Sequence, residues 1–297
     1  MYRTTALLLA VFATAASAGG AAGRSAAAPP AHIVFPVVGV TTFSDDFGEP
    51  RGGGVHQGND LVAAWHTPVV AVEAGTVAIW TKSRAAGCML YLHGRSGTTY
   101  LYVHLNNGLT DGNDNRGGCV GGVAYASGLH DGQIVRAGEL LGFVGDSGDA
   151  DGIHPHLHFE LHPAGGAGVS PYRWLRRARR LLYAAPNDAS LPLELTLIGK
   201  IRLTAPSPGG ETRVAIALRK VSVSNGWTLS SDRAVVLRVP PEAVVELAAA
   251  GGAEPAALEE AVVGQRLSAT VEVDEPTLRS QLARPGELVA ARLLLRP

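Results

Sequence analysis

All ten histidines of this 297-residue chain fall between His32 and His162. Chemistry that needs nitrogen ligands for a metal, or a proton carrier near neutral pH, is therefore confined to the first part of the chain. The densest segment is Gly152-Ile153-His154-Pro155-His156-Leu157-His158-Phe159-Glu160-Leu161-His162. Side chains alternate along a strand, so His156, His158, Glu160 and His162 share one face, while Leu157, Phe159 and Leu161 share the other. Histidines two positions apart stand roughly 6–7 Å apart at the backbone, and their rings can converge on one site. His162 is followed directly by Pro163, which makes a surface position the expectation for it, and His154 flanks the strand on the other side.

Two further pieces carry compatible residue types. In Gly53-Gly54-Val55-His56-Gln57-Gly58-Asn59-Asp60-Leu61 an extended chain would hold His56 and Asp60 about 13 Å apart, too far to share an ion. Gly58-Asn59 tolerates a turn that folds Asp60 back under His56. In Thr99-Tyr100-Leu101-Tyr102-Val103-His104-Leu105 simple alternation puts Tyr100, Tyr102 and His104 on one face. Taken together, the pieces fit zinc chemistry. Catalytic zinc uses three nitrogen or carboxylate ligands and leaves a position open to water, and nearby non-ligand histidines can move protons or stabilise an oxyanion.

The ordered set resembles the lysostaphin-type or LytM-type zinc metallopeptidases over roughly Phe35 to Pro163. The matching elements are Asp46-Phe47-Gly48, His56-Gln57-Gly58-Asn59-Asp60, Gly75-Thr76-Val77, Tyr102-Val103-His104-Leu105, Val135-Arg136-Ala137-Gly138 and His156-Leu157-His158-Phe159-Glu160. Carried over residue by residue, the resemblance implies one Zn2+ per chain on His56, Asp60 and His158, with His104 and His156 as the catalytic pair. It also implies a compact, mostly antiparallel β fold and a substrate among the peptides of peptidoglycan. The alternative is a non-catalytic activator or scaffold for another cell-wall hydrolase, although all five chemical residues are kept. Between the second and third histidine elements, Asn106 to Asp131 is a long Gly- and Asp-rich excursion. Asp111, Asn113 and Asn115 mimic the opening of a calcium loop, but Arg116 replaces the glycine at its sixth position and no glutamate closes it, so calcium is not expected there.

The elements that must position these residues read as mainly β. Val69 to Val72 and Thr76 to Trp80 flank Ala74-Gly75 and suggest a hairpin; Leu90 to His93 and Thr98 to His104 suggest another. Ser170-Pro171 is a helix-start signal, predicting a basic helix over Tyr172 to Tyr183 that stops before Pro186. Beyond it, five segments alternate in period two: Leu193–Leu197, Val214–Leu218, Val235–Val239, Leu267–Val273 and Leu288–Leu295. The expected organisation is thus a signal peptide over 1–18, a flexible lead-in over 19–31, a metallopeptidase domain over 32–170, helix and linker over 171–190, and a second small β domain, a sandwich or an OB-like barrel, over 191–297.

Apolar residues make up 46% of the chain and charged residues 17%, with a formal net charge of −1. That balance supports real cores and gives no argument for nucleic acid or an anionic membrane. Met1-Tyr2-Arg3, the apolar run Ala6 to Ala16 and the small residues Ala16-Ser17-Ala18 form an export signal too short to span a bilayer. The expectation is an exported protein without stable membrane insertion. In an oxidising compartment Cys88 and Cys119 are expected to pair.

Overall fold

A computed structural model describes residues 29–81, 83–185, 193–224, 228–273 and 288–297. The expected leader over 1–18, most of the lead-in and the linker around 186–190 lie outside the described residues. Among the described residues no helix is long and apolar enough to cross a membrane. The chain is mainly β, with two sheet-built cores in succession.

The first core belongs to ten strands: β1 Pro50–Arg51, β2 Gly54–Val55, β3 Asn59–Val62, β4 Pro68–Val70, β5 Gly75–Trp80, β6 Cys88–Gly94, β7 Thr99–Leu105, β8 Ile134–Val135, β9 Leu140–Phe143 and β10 His156–His162. Six of them form an antiparallel sheet in the order β3-β10-β7-β6-β5-β8. The anticipated β6–β7 hairpin is present. The anticipated pairing of the Val69 and Thr76 segments is not: β4 pairs with β9, and β5 with β6 and β8. The turn signal at Ala74-Gly75 marks a crossing from the small β4–β9 ribbon into the main sheet, and Gly75 is required there because a Cβ would lie 2.4 Å from the His93 carbonyl oxygen.

One face of the sheet is apolar throughout. Leu157, Phe159 and Leu161 from β10 pack with Tyr100 and Tyr102 from β7, Leu90 and Leu92 from β6 and Leu61 from β3, all fully buried. Burying each such side chain contributes about 1.5–3 kcal/mol. Because side chains alternate, that commitment fixes His156, His158 and Glu160 on the opposite face.

The helix is shorter than its sequence pattern predicts. α1 spans Tyr172–Arg177, with Pro171 already in helical conformation, and Ala178 turns to an extended ψ of 141°. The next residues are claimed by tertiary pairing: Arg179 exchanges backbone hydrogen bonds with Ile33 and Phe35, and Ala185 with Gly138 and Leu140. Leu181 and Tyr183 are buried in different clusters.

The second core is built by β11 Leu193–Pro206, β12 Thr212–Val223, β13 Thr228–Ser230, β14 Ala234–Val239, β15 Val244–Ala249, β16 Gly252–Pro255, β17 Arg266–Val273 and β18 Leu288–Arg296. All five alternating segments are strands. They close on themselves, β11-β12-β14-β18-β17 and back to β11, with β14 and β18 parallel. The barrel alternative therefore describes this region, and the sandwich does not. Leu229 of β13 leaves it to pack with Val34, Val38, Val70 and Leu181 of the first region.

Candidate functional site

His158 on β10 is the register partner of Asp60 on β3, so a carboxylate and an imidazole on neighbouring strands project side by side. His56 precedes β3. Gly58 lets the chain between them run against β10, since a Cβ there would lie 2.4 Å from the Phe159 carbonyl oxygen. Its role is this close approach; the left-handed turn that Gly-Asn could have made is not used. His56 Nε2, His158 Nδ1 and Asp60 Oδ1 stand 2.8, 3.0 and 3.1 Å from one another. They are the group among the described residues whose ligand atoms could hold a metal ion.

The other end of each side chain is committed elsewhere. His56 Nδ1 lies 2.9 Å from the Asp46 carbonyl oxygen, which only an N–H can satisfy, so in the neutral ring Nε2 carries the lone pair. His158 Nε2–H donates to Glu160 Oε1 at 3.0 Å, which leaves Nδ1 as its lone-pair nitrogen. Asp60 Oδ2 accepts from Arg51 at 3.1 Å, leaving Oδ1 for the site. Three acceptors thus face one another with no donor among them, an arrangement that is repulsive unless a positive charge sits between them. A proton can supply it. Burial pushes the His158 pKa down, but hydrogen bonds to Asp60 and Glu160 outweigh it and raise the value to about 9. Burial likewise pushes Asp60 up, and its bonds to His158 and His56 more than reverse this, holding it well below the usual carboxylate range. A zinc ion answers the same demand: the donor set is of the zinc type, and the spacing is a few tenths of an ångström under the about 3.3 Å between ligands of a tetrahedral ion. The residues fit the ion.

His104 arrives by a route that alternation does not describe. Pairing of Cys88 with Leu105 and of Leu90 with Tyr102 leaves Met89 opposite both Val103 and His104, a β-bulge. His104 takes φ of 61°, in the left-handed region. The extra residue turns its ring away from Tyr100 and Tyr102, which pack face-on and edge-on against Phe159 in the core, and toward His156 at a centroid distance of 5.1 Å. The expected shared face of Tyr100, Tyr102 and His104 is therefore corrected.

Both remaining histidines are anchored through Nδ1–H, His104 on the Ser147 carbonyl at 2.8 Å and His156 on the His154 carbonyl at 3.0 Å. Each presents Nε2 to the groove. Burial lowers both pKa values, helped for His104 by repulsion from His156, so that His104 falls to about 4. Both rings are neutral near pH 7 and can accept a proton.

The parts played by several supporting residues are not legible in the sequence. Ser147 fixes the bulge, donating Oγ–H to the Leu105 carbonyl at 2.5 Å and accepting from the Cys88 amide, and no local pattern announces it. Asp46 accepts from Asn59 Nδ2 at 2.7 Å and gives its carbonyl to His56. His162 is not a plain surface histidine. Its ring bridges the Gly166 carbonyl and Glu160 Oε2, and the bond to Glu160 raises its pKa. The period-two face of β10 was the available signal. Cys88 and Cys119 are joined, tying the excursion to the edge of the bulge. His66 pairs with Asp111, and Asn113 and Asn115 both donate to Asp151.

The five histidine and aspartate residues open into a groove of about 660 Å3 walled by Arg51, Trp80, Tyr91, Asp149 and Ile153. All five lie within residues 54–171, which match the model of Peptidase family M23. An L-Ala–D-Glu endopeptidase of Bacillus subtilis (strain 168) is 28% identical over 153 residues, 48% of this chain and 42% of its own length. A DD-carboxypeptidase/endopeptidase Mpg of Neisseria meningitidis serogroup B is 30% identical over 117 residues, 39% of this chain and 22% of its own. The catalytic domain of the antimicrobial peptidase lysostaphin from Staphylococcus simulans, a solved structure, is 24% identical with a TM-score of 0.37, over 46% of this chain and 92% of that one. The chain spans less than half the length of the curated relatives it matches. Residues 54–171 are a peptidase family M23 domain, and all five histidine and aspartate residues of the groove lie inside it.

Proposed function

We propose that this protein is an exported zinc metalloendopeptidase that hydrolyses peptide bonds in peptidoglycan, with the ion on His56, Asp60 and His158 and with His104 and His156 handling protons. The observation that carries the proposal is the convergence of three lone-pair donors whose other ends are pinned by Asp46, Glu160 and Arg51. Bound there, zinc would supply Lewis-acid activation of a water and of the scissile carbonyl. The names of the relatives support a cell-wall peptide as substrate, and the apolar flanks Trp80 and Ile153 suit a peptide lying along the groove.

The protein's own part is proton management. Peptide hydrolysis needs one proton removed from the attacking water and one delivered to the departing nitrogen. His104 and His156 each offer an unprotonated Nε2 to the groove. Either can take the first proton, and the imidazolium so formed has the N–H needed to hold the oxyanion or protonate the leaving amine. Asp149 at 3.7 Å from His104 Nε2 and Asp60 at 3.7 Å from His156 Nε2 stabilise that charge.

The test combines metal content with turnover. The unmutated protein should hold about one zinc and release peptides from purified peptidoglycan, and a chelator should abolish that release. His158→Ala should lose both metal and activity. His156→Ala should keep the metal and lose about a hundredfold to ten-thousandfold in rate. Peptidoglycan left intact by the zinc-loaded protein would refute the catalytic reading and favour an activator.

A further inference from the structure

A second cavity, of about 720 Å3, lies on the far side of the strand segment that supports the groove. His66 and Thr67 exchange backbone hydrogen bonds with Val144, and the next residue, Gly145, accepts from the His156 amide. One short segment thus carries the groove on one edge and this cavity on the other. The walls come from three places: Trp65 and His66 after β3, Leu109 and Asp111 from the excursion, and Thr228 and Ser230 from the barrel. Its dimensions are those of a ligand site, and such sites favour junctions between separately folded regions. Insertion of Leu229 into a first-region cluster holds the third wall in place.

The lining has a definite chemistry. It holds no lysine or arginine, and its one carboxylate, Asp111, is paired with His66 at 3.1 Å. An anionic polymer finds no counter-charge here, and a cationic one finds only a carboxylate already engaged. What remains is a partly buried indole whose N–H has no partner among the described residues, an exposed leucine, the Ser230 hydroxyl, and the Thr228 hydroxyl, which also bonds Ser222 at 2.9 Å. A flat aromatic face beside neutral donors and acceptors suits a ligand with apolar C–H faces and a rim of hydroxyl and amide groups. The excursion also reaches toward the groove, since Asn113 and Asn115 donate at 2.7 and 2.8 Å to Asp151, which lies between the groove residues Ala150 and Ile153 in the chain.

We propose that the cavity formed by Trp65, His66, Asp111 and the β13 edge binds the glycan strand of peptidoglycan, as a chain of uncharged N-acetylated amino sugars, while the attached peptide lies in the histidine groove. The proposal rests on the peptidoglycan reading for the polymer's identity but not on catalysis. The long excursion then has a role, forming one wall of the glycan site and tying it to the peptide site.

The test is calorimetric titration of the full chain, chelator present, with a tetramer of N-acetylglucosamine. The tetramer should bind, and Trp65→Ala should weaken binding about tenfold, the loss expected of one stacking aromatic ring. Asp111→Ala should weaken it severalfold by releasing His66, and Trp65→Phe, which keeps a ring, should fall between Trp65→Ala and the unmutated protein and serves if the alanine variant fails to fold. On intact peptidoglycan Trp65→Ala should raise KM, with kcat on a glycan-free peptide unchanged. No binding of the tetramer by the unmutated protein would overturn the proposal, as would equal affinity in the folded variants, or binding of the free stem peptide to this cavity instead. Hydrolysis without tetramer binding would remove this inference alone, and tetramer binding without hydrolysis would remove the catalytic reading alone.

Discussion

Glu160→Gln is the most informative single change at the proposed metal site, because it alters one charge and almost no volume. Glu160 Oε1 accepts from His158 Nε2–H at 3.0 Å, and Oε2 accepts from His162. Burial opposes the carboxylate's charge, yet the two histidine bonds more than compensate and lower its pKa to about 2. In the glutamine variant the amide oxygen can still receive His158, and the NH2 group can donate only to a neutral His162 Nε2, so the negative charge that both rings share is lost. The ring that carries the ligand nitrogen becomes less basic and less firmly oriented. Loss of such an outer partner typically costs 10–100-fold in metal affinity, about 1.4–2.7 kcal/mol. At a fixed zinc concentration above both dissociation constants the same amount is lost from ligand-linked stability. For a domain of this size that corresponds to a Tm lower by roughly 3–11 °C. Competition with a chromophoric chelator reads the affinity, and turnover at saturating zinc reads the chemistry separately. The affinity should fall by one to two orders of magnitude, while kcat at saturation falls far less. Unchanged zinc affinity in a folded variant would refute the orienting role. A kcat loss that zinc cannot restore would place Glu160 in the reaction itself.

Three further outcomes follow from the geometry. Gly58→Ala forces a Cβ to 2.4 Å from the Phe159 carbonyl oxygen, so it should destabilise by about 1–3 kcal/mol and weaken zinc binding by parting Asp60 from His158, measurable by thermal melts with and without zinc. Cys88→Ser with Cys119→Ser should cost roughly 3–4 kcal/mol for a separation of 31 residues, and denaturant titration of both forms checks it. Burial raises the pKa of Tyr100, of Tyr102 and of Tyr125, the last to about 12. A raised value favours the neutral folded form, so that contribution is complete below the unfolded value near 10 and is lost as pH climbs through the folded values; stability measured at pH 9 and 11.5 should drop by about 1.4 kcal/mol per tyrosine per pH unit above 10.

What could be read in the sequence was what a single element decides for itself. The alternation of His156 to His162 reflects a strand with one buried face, and the five C-terminal segments obey the same rule, so both patterns matched the observed strands. Failures occurred where distant chain decides. The alternation of Tyr100, Tyr102 and His104 continues unbroken in sequence, yet Ser147 and Cys88 impose an extra residue on β7. Likewise the basic segment after Pro171 has helical propensity, but backbone groups of Ile33, Phe35, Gly138 and Leu140 offer pairing that a helix would forfeit. Arg51 had no signal, since its value lies in reaching Asp60 nine positions away.

The placement of His104 explains why the bulge is retained despite its cost. A left-handed, non-glycine residue is unfavourable by about 1–2 kcal/mol, and regular pairing of β6 with β7 would remove the expense. Regular pairing would also turn the ring into the core, where Tyr100, Tyr102 and Phe159 already fill the space. The sheet therefore faces a choice between an ideal ladder and a histidine opposite His156. The surroundings decide it: Ser147 holds the bulged strand through Leu105 and Cys88, its carbonyl captures the His104 ring, and the disulfide from Cys88 to Cys119 braces the same corner. Gly148 and Gly87 allow that corner to close, since a Cβ on Gly148 would meet the Ala85 carbonyl oxygen at 2.2 Å and the Gly87 nitrogen at 2.5 Å. Strain at one backbone position is thus offset by the contacts around it, and the fixed ring that results suits the proton-carrying role proposed for His104.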